Sequence, residues 1–203
     1  MSGSADSLCR VRQATREEEF EALYRGDPDP WRMETSAYEA AKYDATLRAL
    51  ANDWYGTALE VGCSIGVLTA RLAARCGRVV ALDVSETALA RARVRPGTAN
   101  VEWHRAEVPR EWPNGAFDLI VLSEVLYFLE PDEVRTVASL VARDLTDRGE
   151  VVVVNWLGEC DRTLDGDAAS DLFKSEAERH GLVAVASGRH DRYRLDRFGR
   201  GRS

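Results

Sequence analysis

The residues best placed for chemistry lie in Ala58-Leu59-Glu60-Val61-Gly62-Cys63-Ser64-Ile65-Gly66, an apolar run entering a turn of small residues. Gly62 and Gly66 let the backbone turn tightly and approach a ligand that a side chain would hold off. Asp83 follows Gly62 by 21 residues, at the end of the next apolar run. A βα fold places a carboxylate there to accept the hydroxyl hydrogens of an adenosine ribose. A dinucleotide site is one reading, but Ser64 stands at the third position of a GxGxxG pattern and Glu60 sets a negative charge near any pyrophosphate. S-adenosylmethionine has no phosphates and carries an ammonium and a sulfonium, so it suits an acidic neighbour better. A hydrolase is another reading, because Gly62-Cys63-Ser64-Ile65-Gly66 spells GxSxG, with Asp161 or Asp165 and His180 or His190 downstream. That elbow normally follows several strands and an oxyanion-hole loop, whereas two helices precede it here.

Further along, Glu107-Val108 follows the third apolar run, where a carboxylate can receive an adenine amino group and an apolar side chain can cover the ring. The alternative for Glu107 is a plain surface carboxylate. The segment Phe117 to Tyr127 holds a fourth run, Phe117 to Leu122, and its exit through Ser123 and Glu124. Ligands bind outside the carboxyl ends of strands in such sheets, so Leu122, Ser123 and Glu124 should face the reacting group. Glu124 is the candidate base or amine anchor, set against a helix N-terminal carboxylate stabilised by the dipole. Tyr127 is a candidate acceptor contact with a polar tip. Trp31 and Tyr38 offer π faces to a cation, or pack the N-terminal helices on the sheet. Asp161 and Arg162 are placed at the acceptor mouth, and His104 reads as structural.

The elements that must hold these residues follow from periodicity. Thr15 with Glu18 forms a capping box ahead of an apolar stripe at Phe20, Leu23 and Tyr24, and Asp27-Pro28-Asp29-Pro30 ends that helix. Ser36 with Glu39 opens a second helix to about Leu50. From Thr57, short apolar runs alternate with amphipathic stretches, the pattern of βα units on a parallel sheet. The strands are expected at Ala58 to Val61, Arg78 to Asp83, Asn100 to Arg105, Phe117 to Leu122 and Glu150 to Trp156. Helices are expected near Val67 to Arg75, Glu86 to Arg93, Asp132 to Asp144 and Ala168 to His180. Two more strands, Leu182 to Ser187 and Tyr193 to Phe198, complete the expected fold: a Rossmann-like, seven-stranded, mostly parallel sheet flanked by helices. Residues 1–55 read as an N-terminal helical lid and residues 56–203 as the cofactor-binding core, one domain overall.

Composition bounds the partners. A formal charge of −7 over 203 residues argues against nucleic acid, and the arginines from Arg189 to Arg202 read as a solvated tail. Cys9, Cys63, Cys76 and Cys160 show no metal spacing, so reduced thiols, metal independence and a cytoplasmic location are expected. Met1 to Ser7 is mostly polar, and no run approaches the roughly 18 apolar residues of a membrane span. The expected partner is a small-molecule or amino-sugar acceptor.

These motifs together resemble the class I S-adenosylmethionine-dependent methyltransferases, and most closely the nodulation protein S family of N-methyltransferases. The resemblance rests on Asp29-Pro30-Trp31-Arg32 with Tyr38-Glu39, then Leu59-Glu60-Val61-Gly62-Cys63, then Leu82-Asp83-Val84, and then Phe117-Asp118-Leu119-Ile120-Val121 with Ser123-Glu124-Val125-Leu126-Tyr127-Phe128-Leu129. It implies S-adenosyl-L-methionine as cofactor, held by Trp31, Arg32, Tyr38, Glu60, Gly62, Cys63, Ser64, Gly66, Asp83, Val84, Glu107, Val108, Leu122 and Ser123, with Glu124 and Tyr127 at the methyl group. The family methylates the free amine of a deacetylated chitin-like oligosaccharide, so an amino sugar or small amine is the implied acceptor. A small-molecule O-methyltransferase and a non-catalytic cofactor-binding protein are the alternatives. The stretch from Asn155 through Gly166-Asp167 departs from the family pattern.

Overall fold

A computed structural model describes residues 14–159 and 161–201. Cys9, Cys160 and the polar start at Met1 to Ser7 lie outside the described residues. Two helices come first, α1 (Arg16–Gly26) and α2 (Ala37–Ala49). Thr15 caps α1 in the reciprocal box with Glu18, and Ser36 caps α2 by accepting the Glu39 amide, so the capping signals act as expected.

Seven strands follow: β1 (Tyr55–Val61), β2 (Cys76–Asp83), β3 (Val101–Arg105), β4 (Phe117–Ser123), β5 (Leu145–Trp156), β6 (Leu182–Arg189) and β7 (Tyr193–Arg200). Their spatial order is β3-β2-β1-β4-β5-β7-β6; β1 to β5 are parallel, and β7 runs antiparallel to both β5 and β6. The helices α3 (Val67–Ala73), α4 (Glu86–Ala92), α5 (Pro131–Asp144) and α6 (Gly166–Arg179) pack on the sheet, with a 3-10 turn at Leu126–Phe128. Both faces are covered, which is why β1 and β4 read as nearly continuous apolar runs. Leu59, Ile120, Leu122 and Val153 pack with α5 and α6 on one face, and Ala58, Leu119, Val121 and Val152 lie on the other with Leu68 and Leu72 of α3. Strand order reverses at β1 and β4, so a crevice opens at their carboxyl ends.

Two expectations about the chain's second half change. β5 begins at Leu145 rather than Glu150, because Leu145 pairs with Phe117 across a register shift that absorbs the polar Asp147-Arg148 stretch. The arginine-rich end is not a solvated tail. Arg194 bridges Asp171 and Asp196, Arg197 reaches Glu150 and Arg189 reaches Asp167, while Phe198 is fully buried between the sheet and Phe173. Alternation in β7 sends Tyr193 and Leu195 to one face of the sheet and Phe198 to the other, and Arg194 and Arg197 pair with acids on α6 and β5.

Candidate active site

The crevice is a cavity of about 390 Å³ that runs across the carboxyl ends of β3, β2, β1, β4 and β5. Neighbouring strands lie about 4.8 Å apart, so Asp83 on β2 and Glu124 after β4 are separated by about 10 Å along the crevice. An adenosine at one end and a reacting group at the other fit that order of strands.

The turn after β1 forms because the Gly62 and Cys63 amides both donate to the Leu82 carbonyl, at 2.8 and 2.9 Å. Gly62 takes φ +75°, and a Cβ there would meet Val125 Cγ2 at 2.5 Å, so the residue must be glycine on two counts. Asp83 accepts from the Ser64 amide at 2.7 Å and the Ser85 amide at 2.9 Å. Its carboxylate thereby ties β2 to the turn while still lining the cavity. Burial pushes its pKa up to about 6 against the opposing pull of those amides. Ser64 itself sits at φ 51° and Glu124 at φ 60°, left-handed conformations that cost of order 1–3 kcal/mol for residues other than glycine. Both strained residues line the cavity, where surrounding structure holds them.

At the β2–β3 end, Val84, Ala106, Glu107 and Val108 form the wall. Arg16 of α1 reaches the Val108 carbonyl at 3.2 Å, Glu107 at 3.5 Å and Glu133 of α5 at 2.5 Å, laying α1 across the opening. Tyr24 and Ser64 share a short hydrogen bond through their hydroxyls, and Glu21 accepts from the Ser85 hydroxyl at 2.8 Å. Phe20 and Tyr24 in turn contact Trp31, 40% exposed on the cavity wall.

At the other end three charges meet. Lys42 of α2, buried, donates to Glu124 Oε1 at 2.7 Å and Glu39 Oε1 at 3.0 Å. Glu124 Oε2 accepts from the Tyr127 hydroxyl and the Trp156 amide, both at 2.9 Å. Burial opposes the charge on Lys42, but Glu124 and Glu39 outweigh it and hold the amine above the usual lysine range. Three donors on its two oxygens fix the Glu124 carboxylate in place at the end of β4. Tyr38 closes this end, its ring 5.3 Å from Lys42 Nζ and stacked by the Arg192 guanidinium at 3.8 Å.

Of the residues singled out in the sequence, Trp31, Tyr38, Glu60, Gly62, Cys63, Ser64, Asp83, Val84, Glu107, Val108, Ser123, Glu124 and Tyr127 line this one cavity. Arg32, Gly66 and Leu122 do not. Arg32 is exposed, its backbone closing the turn from Asp29 to Ser36. Gly66 caps α3 beneath Trp103 and Ala92, and Leu122 is fully buried in the core. Arg162 pairs with Glu19 of α1 and lies over Phe128 at 5.1 Å, beside the opening. The sequence reading missed Tyr24, Glu39, Lys42 and Trp156 as site residues: apart from the i,i+3 pair Glu39–Lys42, their partners lie 32 to 82 residues away.

Glu60 is enclosed at the floor of the turn, with Oε2 lacking a hydrogen-bond partner, and burial with the nearby Asp83 charge pushes its pKa up to about 8. The unfolded chain ionises this carboxyl at about 4.3, so the contribution of Glu60 to stability falls as pH rises from about 4 to about 8 and then levels off. Glu60→Gln is therefore expected to match the wild type near pH 4 and to exceed it by roughly 3–5 kcal/mol at pH 8.5 without ligand. Urea unfolding at the two pH values checks this; equal stability at both would mean that Glu60 is solvated.

The sheet order, the small-residue turn after β1 and the carboxylate closing β2 are those of the S-adenosylmethionine-dependent methyltransferase fold, and the family match gives the chain that class. Residues 17–150 match the model of the family described as Nodulation protein S (NodS). The chain belongs to the nodulation protein S family. It is 37% identical over 141 residues to nodulation protein S of Bradyrhizobium diazoefficiens, an alignment covering 65% of this chain and 68% of that one. It is 36% identical over 157 residues to the Sinorhizobium fredii protein, covering 72% and 73%. Among solved structures, N-methyltransferase NodS from Bradyrhizobium japonicum WM9 in complex with S-adenosyl-L-homocysteine superposes with a TM-score of 0.75 over 90% of this chain and 98% of that one, at 23% identity.

Proposed function

We propose that this methyltransferase transfers the methyl group of S-adenosylmethionine to the nitrogen of a small or sugar-like amine. The observation that carries the reading is the acidic cavity wall: five carboxyl groups, Glu39, Glu60, Asp83, Glu107 and Glu124, face two cations, Arg16 and Lys42, and Glu60, which burial keeps neutral without ligand, ionises when an ammonium arrives beside it. Asp83 and Glu60 have no cationic partner among the described residues. That surplus suits a ligand with a sulfonium and an ammonium, and an acceptor that arrives protonated. The similar N-methyltransferase from Bradyrhizobium japonicum, solved with S-adenosyl-L-homocysteine, supports both the cofactor and nitrogen as the acceptor atom.

In this arrangement Asp83 takes the ribose hydroxyls, Glu107 and Val108 the adenine, and Glu60 with the Gly62 to Ser64 turn the methionine end. Trp31 and Tyr38 face the sulfonium from the N-terminal segment, which serves as a lid through Arg16 and Tyr24. The cofactor supplies an electrophilic methyl carbon on sulfur. What the chain adds is alignment, and holding two reactants in attack geometry accounts for much of the rate such enzymes achieve. An amine must lose one proton before it attacks, and no histidine lines the cavity among the described residues, so solvent at the mouth receives that proton. The oxygen alternative requires a stronger base close to the methyl group than these side chains offer.

Incubating the protein with trideuteromethyl cofactor and glucosamine-terminated chitin oligosaccharides or simple primary amines tests the reading. Mass fragmentation is expected to place the label on nitrogen. Label on oxygen in every methylated product would overturn it.

A further inference from the structure

Besides Tyr38, α2 supplies Glu39 and Lys42 at the far end of the cavity. These two and Glu124 make a cluster of two carboxylates around one ammonium, with Lys42 only 4% exposed at its side chain and Glu39 12%. The cluster is one cation short of neutrality. Charges taken from water are costly unless paired, and here the walls that exclude water are aromatic: Tyr38, Tyr127, Phe128 and Trp156. Tyr127 and the Trp156 amide fill Glu124 Oε2, while Oε1 accepts only from Lys42 and keeps acceptor capacity on a residue that lines the cavity. The Glu124 backbone is strained at φ 60°, a conformation that fixes the carboxylate at the exit of β4.

We infer that Glu39 and Glu124, clamped by Lys42, are the seat of the acceptor's protonated amine, so that Glu39 determines specificity for cationic over neutral acceptors and Lys42 is a positioning residue. This rests on the amine-methylation reading above. The incoming ammonium brings the cluster to two negative and two positive charges. Lys42 also tempers the seat: without it, two carboxylates would hold the ammonium proton too tightly for release. The seated R–NH3+ gives one proton to solvent. The freed lone pair then forms the N–C bond as the C–S bond breaks, and that bonding pair leaves with sulfur as a neutral thioether. The methylated nitrogen carries the positive charge, so charge is conserved through the step, and the product is again a cation suited to the same seat.

The experiment uses full-length protein loaded with S-adenosylhomocysteine, with glucosamine as the cationic probe and N-acetylglucosamine as its neutral counterpart. Binding is followed by saturation-transfer NMR at pH 6.5. The wild type is expected to favour glucosamine by roughly tenfold or more, the scale of a desolvated charge pair. Glu39→Gln abolishes that preference by weakening glucosamine alone, and Glu39→Asp restores most of it. Unchanged S-adenosylhomocysteine affinity in both variants shows that fold and cofactor end are intact, so the effect belongs to the seat. A Glu39→Gln protein that keeps the preference, or a loaded wild type without one, overturns the inference. Failure of the wild type to bind S-adenosylhomocysteine overturns instead the methyl-transfer reading on which it stands.

Discussion

Replacing Lys42 with methionine is expected to lower the melting temperature by roughly 6–20 °C, because removing one member of a buried ionic cluster costs about 3–5 kcal/mol and a domain of this size loses about 2–4 °C per kcal/mol. The penalty arises from what remains. Glu39 and Glu124 lie close enough to share one ammonium, and without it they face each other across aromatic walls with no counterion. The double variant Lys42→Met with Glu39→Gln leaves one carboxylate instead of two and is expected to recover a substantial part of the loss. Thermal unfolding of the single and double variants at pH 7.5 measures this coupling. A loss below about 1 kcal/mol for the single variant would show the cluster to be an ordinary solvated ion pair.

The second large effect concerns the cofactor. Asp83→Ala is expected to weaken S-adenosylhomocysteine binding by about 1.5–3 kcal/mol, or roughly 10- to 150-fold, the range for hydrogen bonds to a charged group. Adenosine, which lacks the amino-acid arm, should lose affinity by the same factor, because the lost contact is to the ribose. Part of the loss is indirect, since the Ser64 and Ser85 amides lose their common acceptor and the turn slackens. Titration of both ligands separates the possibilities. A loss for S-adenosylhomocysteine without a loss for adenosine would move Asp83 to the methionine end.

How far the sequence carries the reader depends on the range of the interaction. Gly62 and Asp83 were legible because a turn and a strand end are local, and the spacing between them is fixed by one βα unit. Four of the five parallel strands were legible because burial on both faces leaves apolar runs, whereas β3, at the sheet edge, shows only the alternation of Val101 and Trp103 with polar residues. The boundary of β5 was not, because Asp147 and Arg148 resemble a loop until Leu145 is seen paired with Phe117. Likewise the arginines near the end resemble a tail until their acids on β5 and α6 are in view. Lys42 is the clearest case. Lys42 carries no signal of its own in α2, and only the fold brings it to Glu124, 82 residues away. Glu124 was found in the sequence, but the tethering of its carboxylate by Lys42, Tyr127 and Trp156 was not.

The most direct test of the whole account is a calorimetric titration of the purified protein with S-adenosylhomocysteine, with NAD as the control. The cavity described here predicts saturable one-to-one binding of S-adenosylhomocysteine and none of NAD, whose pyrophosphate would meet Glu60 and Asp83. Binding of NAD in preference, or of neither compound, would contradict it.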